Sequence, residues 1–379
     1  MPPRTHWDIF CRVVDNFGDI GVSWRLAHQL TREHSLSVRL WVDDLASLAK
    51  LVPELDPNSA RQYLSGVEVR HWATPFLNVD PAQVVIEAFA CNLPDNFIAA
   101  MAVHREKPLW INLEYLSAEP WVAEHHGLPS PHPRLPLTKY FFFPGFVAGS
   151  GGLIREADLL ATRDAFQSSD SAQNAWWDAL GITPPANALK LSLFAYPNVP
   201  IAALLTAWVA SAIPIICLVP ATPLSEHIAS ILGCASLAAG TRVNRGKLTL
   251  IGLPFLSQAE YDRLLWACDL NFVRGEDSFV RAQWAGKPLI WNIYPQQDAV
   301  HPKKLAAFLD LYCKDAAETH ALPAFWRAWN SLDGDPAATW PAFAATLPGL
   351  QRHAQHWATK LALQTDLATQ LVKFNQKPL

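Results

Sequence analysis

The strongest constraint in this sequence is an alternation that occurs twice. Short apolar runs that read as strands are separated by segments of helical periodicity. In the first series the expected strands are Asp8–Val14, Val38–Val42, Val67–Trp72, Val84–Phe89, Leu109–Leu113 and Tyr140–Phe143. Helices such as Leu45–Leu51 and Asn96–His104 fall between them. In the second series the strands are Leu189–Ala195, Ile215–Val219, Leu248–Leu253, Leu270–Val273 and Leu289–Tyr294. Its helices are Ile201–Ser211, Ser225–Leu232, Gln258–Ala267, Phe279–Ala285 and Pro302–Leu311. Each series predicts a parallel sheet with helices on both faces. Helical patterns near Arg155–Phe166 and Ala172–Leu180 lie between the two. Gly181-Ile182-Thr183-Pro184-Pro185-Ala186-Asn187 then stops the helix and stiffens the chain, which makes it the expected boundary.

A chain of 379 residues is long for one core, and with 50% apolar and 17% charged residues it can bury two. The expected division is an N-terminal domain at 1–183, a second at 184–345 and terminal helices at 346–379 that pack back toward the first. Two Rossmann-like, doubly wound α/β domains in series, facing a central cleft, are the GT-B architecture of glycosyltransferases. Ligands are then expected in the cleft, at the C-terminal ends of the strands. The fold alone does not name the activity.

Charge and cysteines exclude several classes. A net charge of −4 gives no basic footprint for nucleic acid. None of the six cysteines forms a CxxC pair, so they read as reduced thiols. The first residues, Met1 to Asp8, carry no apolar signal region, and a cytoplasmic chain is expected. Val199 to Ala221 is uncharged and long enough for a membrane span, but Pro200, Pro214 and Pro220 divide it into a helix and a strand.

The first informative loop is Val13-Val14-Asp15-Asn16-Phe17-Gly18-Asp19-Ile20-Gly21, between the first strand and the first helix. Phosphate-binding loops at such a junction keep carboxylates away, because the helix N-terminus attracts anions. This one carries Asp15 and Asp19, and Gly18 and Gly21 permit close backbone approach. It suits a cationic or proton-donating group better than a phosphate. The alternative is that one of the two acids merely N-caps the helix.

The second is Arg274-Gly275-Glu276-Asp277-Ser278, where a strand turns into a helix that Gly286 ends. Backbone N–H groups at Glu276–Ser278 form a candidate diphosphate site, with a Ser278 hydroxyl and Arg274 or Arg281 in support. Glu276 and Asp277 suit sugar or ribose hydroxyls instead. The alternative is a capped structural helix. Just upstream, Phe255 is placed to stack on a nucleobase and Gln258 to read its edge, in a strand end expected beside the anion site. Phe194 to Asn198 close the second domain's first strand, where Tyr196 is a candidate to face the cleft and Phe194 is open between cleft and core. Ser257 and Glu260 predict a capping box for the helix that follows Phe255.

Other patterns read as structural. Asp333-Gly334-Asp335-Pro336 matches a metal-binding DxD but lies in a break between helices, so a turn is expected. His125, His126 and His132, in a Pro- and His-rich surface loop, lack metal-ligand spacing. Asp43 follows the second strand, where a dinucleotide fold keeps its ribose-binding acid. The first loop offers only Gly18-x-x-Gly21, however, and Asp19 stands where a pyrophosphate would lie.

Over nearly its whole length the chain resembles the protein-arginine rhamnosyltransferases (EarP) that modify bacterial translation elongation factor P. Three stretches carry the resemblance: Asp8 to Gly21, Asn112-Leu113-Glu114-Tyr115-Leu116-Ser117-Ala118-Glu119, and Arg274 to Ser278. It implies a GT-B fold and an inverting transfer of L-rhamnose from dTDP-β-L-rhamnose to one arginine of the factor, with no metal or other cofactor. The first domain would dock the factor and the second would hold the nucleotide sugar. The resemblance makes Asp19 the proposed base, with Asp15 close to the reaction and the loop backbone at Asn16, Phe17 and Gly18 beside them. Phe194, Tyr196, Phe255, Gln258, Arg274, Glu276, Asp277 and Ser278 would line the donor site. Glu114, Tyr115 and Ser117, which follow a strand, are candidates for gripping the factor, the alternative being that they are packing residues. The competing readings are a GT-B transferase with a lipid or glycan acceptor, and a non-catalytic protein that binds a nucleotide or the factor.

Overall fold

The computed structural model describes residues 6–15, 17–295 and 300–377. The chain divides into two compact units, Met1–Ala157 with Leu363–Leu379, and Asp158–Ala362.

The first unit is built on β1 (His6–Cys11), in which Trp7, Ile9, Phe10 and Cys11 are all fully buried. A strand apolar on both faces needs cover on both. After it come α1 (Gly18–His34), β2 (Ser37–Val42), α2 (Leu45–Leu51), β3 (Arg61–Leu64), β4 (Val67–His71) and β5 (Val84–Ala88). Then follow α3 (Asp95–Val103), β6 (Leu109–Leu113), α4 (Val122–His125), β7 (Pro129–Pro131) and β8 (Thr138–Phe142). The sheet order is β3-β4-β2-β1-β5-β6-β8-β7, parallel throughout except for the edge strands β3 and β7. Phe10, Trp41, Trp72, Phe97 and Trp110 form an aromatic core on one face, and Ile20, Leu26 and Leu30 of α1 cover the other.

The second unit starts with α5 (Leu159–Gln167) and α6 (Asp170–Ala179). It continues through β9 (Leu189–Leu193), α7 (Ile201–Val209), β10 (Ile215–Pro220), α8 (Pro223–Leu232), β11 (Arg242–Arg245) and β12 (Leu248–Leu253). Next come α9 (Gln258–Ala267), β13 (Leu270–Arg274), α10 (Asp277–Ala285), β14 (Leu289–Asn292), α11 (His301–Tyr312), α12 (Leu322–Trp329) and α13 (Pro336–Ala362). Its sheet runs β11-β12-β10-β9-β13-β14, with only β11 antiparallel. Among the described residues no helix is long and apolar enough to cross a membrane, and the uncharged stretch after Val199 is α7 and β10.

The division differs from the sequence expectation at 183. Trp177 and Ile182 share one core with Ile216, Leu218 and Leu264, and the Gln167 amide donates to the Ala285 carbonyl at 3.0 Å. Residues from Asp158 onward therefore belong with the second sheet. The terminal helices also separate. α13 stays with the second unit, where the Trp357 indole donates to Gln283 Oε1 at 2.7 Å. The last helix, α14 (Leu367–Asn375), returns to the first unit and packs on α1.

Candidate active site

The acidic loop leaves the C-terminal end of β1. Asp15 accepts a backbone hydrogen bond from Gly18 N at 2.6 Å, which closes a tight turn. A Cβ on Gly18 would lie 2.9 Å from Asp15 Oδ2, so a side chain there would push that carboxylate aside. Asn16 lies outside the described residues. Phe17 is the N-cap of α1 and makes no side-chain cap, so neither aspartate stands at the capping position. Asp19 instead turns back from the first turn of the helix. Its Oδ2 accepts from Val14 N and Asp15 N, each at 2.9 Å.

Asp19 is 3% exposed, whereas Asp15 is half-buried. Burial pushes the Asp19 carboxyl above the ordinary aspartate range. The two N–H donors oppose that shift, and the neighbouring Asp15 and Asp43 charges add to it. Asp43, after β2, accepts from Val13 N at 2.9 Å. Two carboxylates of unequal exposure thus share one loop, and burial raises the proton affinity of Asp19. That arrangement can hold a cation and accept a proton.

The second cluster lies at the strand ends of the other unit. β9 and β13 are neighbours, which brings Phe194 and Tyr196 beside Arg274. The Arg274 guanidinium lies 4.5 Å from the Phe194 ring centre and 4.6 Å from that of Tyr196. Sandwiching on aromatic faces holds a guanidinium without neutralising it. Tyr196 N donates to Asn292 Oδ1 at 2.9 Å, and Tyr294 packs edge-on against Tyr196.

Gly275, at φ +59°, makes the turn into α10, which begins at Asp277. Glu276 is the N-cap but does not cap with its side chain. The Ser278 hydroxyl accepts from Arg274 N at 3.1 Å and donates back to the Arg274 carbonyl. It fixes the turn and does not stand as an extra donor to an anion. Arg281 is not part of the cluster. It is 2% exposed and forms a two-pronged pair with Asp262, at 2.9 and 2.7 Å.

Phe255 and Gln258 are half-buried at the β12–α9 junction. They do not reach α10 through the sheet, because β10 and β9 separate β12 from β13. They approach it through α9, which packs on α10 and sets Tyr261 edge-on against Phe194. Ser257 caps α9 by accepting from Glu260 N at 3.3 Å. Tyr261, Asn292 and Tyr294 join this cluster without having been singled out in the sequence. The last two had one signal: they end the strand beside β13.

The remaining candidates are occupied structurally. The Asn112 amide donates to Glu114, Tyr115 stacks on Phe89 at 4.8 Å and Ser117 Oγ donates to Glu119 at 3.0 Å. Asp333 pairs with Arg327, and Asp335 accepts from Ala337 N, as a turn requires. His126 and His132 accept from backbone N–H groups through Nδ1. Among the described residues no three His, Cys, Asp or Glu side chains are grouped to hold a metal ion.

Comparison with known proteins decides the family. Residues 7–376 match the family model described as elongation-factor P (EF-P) rhamnosyltransferase EarP. The chain belongs to the EarP family. A protein-arginine rhamnosyltransferase of Pseudomonas putida is 51% identical over 379 residues, covering 99% of this chain and all of that one. A solved structure described as the structural basis for EarP-mediated arginine glycosylation of translation elongation factor EF-P matches with a TM-score of 0.71 and 39% identity. It covers 99% of each chain. MurG of Acinetobacter baumannii, 12% identical, matches with a TM-score of 0.52 over 99% of this chain and all of that one, a likeness of fold alone. The chain thus has the two-domain α/β fold of GT-B glycosyltransferases.

Proposed function

We propose that this chain moves L-rhamnose from dTDP-β-L-rhamnose onto an arginine side chain of translation elongation factor P, in the cytoplasm, with inversion at the anomeric carbon and without a metal ion. Family membership supplies the enzyme class, protein-arginine rhamnosyltransferase. The observation that carries the mechanism is the pair of aspartates on the loop between β1 and α1.

A guanidinium is protonated near neutral pH and its lone pairs are delocalised, so it is a poor nucleophile. Asp15, the more exposed acid, is placed to meet it and orient one nitrogen. Asp19, whose burial raises its proton affinity, takes the proton as the C–N bond forms. The C–O bond to the departing diphosphate breaks on the opposite face of the sugar. In the second unit Arg274, held between Phe194 and Tyr196, and the start of α10 receive the diphosphate charge. Glu276 and Asp277 accept sugar or ribose hydroxyls, Phe255 stacks on the base and Gln258 reads its edge. Ser278 keeps the Arg274 turn in shape.

The test is incubation with elongation factor P and dTDP-β-L-rhamnose, read by intact mass. Wild type is expected to add one deoxyhexose to the factor, with the same rate in a chelator and an inverted anomeric configuration by NMR. Asp19→Asn is expected to bind donor normally and lose about a hundredfold or more in transfer. Transfer by that variant at the wild-type rate would remove Asp19 as the base.

A further inference from the structure

Loops that join a strand to a helix N-terminus often present successive backbone N–H groups to a bound phosphate. In this chain three successive N–H groups of that loop are taken by carboxylates, one from the loop's helix end and one from beyond β2. Val13 N donates to Asp43 Oδ1, and Val14 N and Asp15 N both donate to Asp19 Oδ2, all at 2.9 Å. These N–H groups are thereby already occupied by side chains of the chain.

Asp43 reaches it from the end of β2, the parallel neighbour of β1, in the register that sets Val42 opposite Cys11. Its other oxygen lies 3.8 Å from Arg12 Nε, and the Arg12 guanidinium lies 5.0 Å from the Trp72 ring centre. In a dinucleotide-binding fold an acid at this place faces ribose hydroxyls. Here Asp43 Oδ1 is turned to the loop backbone.

We propose that Asp43 is a positioning residue for the acidic loop: its Oδ1 fixes the Val13 amide and so sets the direction in which Asp15 and Asp19 leave the backbone. Its importance for transfer rests on the reading above, in which that loop receives the acceptor arginine. The hydrogen-bond acceptor is the part of Asp43 that matters. Asparagine can replace it and alanine cannot.

The experiment compares wild type, Asp43→Ala and Asp43→Asn as full-length chains. Each is assayed for kcat and for the KM of dTDP-β-L-rhamnose with elongation factor P, and for hydrogen exchange at the Val13 amide. Asp43→Ala is expected to lower kcat about tenfold to a hundredfold, the cost of a misplaced reacting group, with the donor KM within about twofold of wild type. Its Val13 amide is expected to exchange about tenfold faster or more. Asp43→Asn is expected to bring both quantities back to within about threefold of wild type.

Wild-type kcat in Asp43→Ala, a loss expressed only in donor KM, or unchanged Val13 exchange would overturn the proposal. Failure of Asp43→Asn to restore either quantity would do the same. If Asp43→Ala melts early, Asp43→Leu, of similar size and without an acceptor, takes its place under the same criteria. A wild-type chain that leaves the factor unmodified refutes the transfer reading instead, and the Val13 exchange still decides whether Asp43 fastens the loop.

Discussion

Asp19 has two tasks that pull on the same carboxylate. One oxygen holds two backbone N–H groups of the loop, which favours the charged form, while burial, the larger effect, disfavours it. The folded-state pKa therefore lies above the ordinary value of 3.8. Two pH effects follow. Between 3.8 and the raised value the folded chain binds a proton that the unfolded chain has released. In that window stability falls as pH rises, and the cost is complete above it. Asp19→Asn keeps an oxygen for the two N–H groups and carries no charge. It is expected to be at least as stable as wild type at neutral pH, within about 1 kcal/mol, with that gain disappearing in acid. Urea melts at several pH values measure this. For transfer the sign is opposite in use. The base works only when ionised, so kcat/KM is expected to fall as pH drops through the raised pKa. An acid limb near the ordinary aspartate value would show that a different group controls the rate.

At the scale of elements, what could be read from sequence depended on how far each element's partners lie along the chain. Central strands such as β6 and β12 were legible to the residue, because strands covered on both faces are continuous apolar runs. The edge strands β3, β7 and β11 were not. They are short, antiparallel and largely polar, like the turns around them. The acidic loop was legible from its strand–glycine–helix order, but the partner of Val13 was not, since Asp43 arrives only once β2 pairs with β1. Arg274 and Arg281 could not be told apart either. Arg274 ends β13, whereas Arg281 lies in α10, whose residues from Ser278 to Ala285 are all buried, and the acid that takes Arg281 comes from α9. That burial yields a prediction. Arg281→Met strips the buried Asp262 of its guanidinium and is expected to cost about 3–5 kcal/mol. Arg281→Met combined with Asp262→Leu is expected to recover most of it, because two apolar groups have no charge to desolvate. Denaturant midpoints of the two variants check this. Equal destabilisation would mean the pair does more than satisfy itself.

For the whole molecule, the decisive feature is that the chain's last helix belongs to its first unit. The sequence places all of 346–379 as helices packing back toward the N-terminal domain, yet only α14 does so. Its Leu367, Ala368, Leu371 and Phe374 enter the core that α1 and β1 build, and Phe374 packs edge-on against Tyr140 and Phe142, at 5.6 and 5.7 Å. The core on that face of the first sheet therefore depends on side chains more than two hundred positions from the strands they cover. Phe374→Ala is expected to cost about 3–5 kcal/mol, the usual loss for a large aromatic in a core. The cost should fall on the first unit, because the core cluster that Phe374 joins and its ring partners Tyr140 and Phe142 all lie in it. Calorimetry should then resolve an early transition that wild type lacks, since unfolding of a two-domain chain need not be a single step. The proposed donor residues sit in the second unit and the acidic loop in the first. Between the two transitions the variant should keep binding dTDP, measurable by titration calorimetry, while transfer to elongation factor P is gone. Loss of both at a single temperature would mean that the two units unfold as one, and that α14 secures the donor site as well as the helix that carries Asp19.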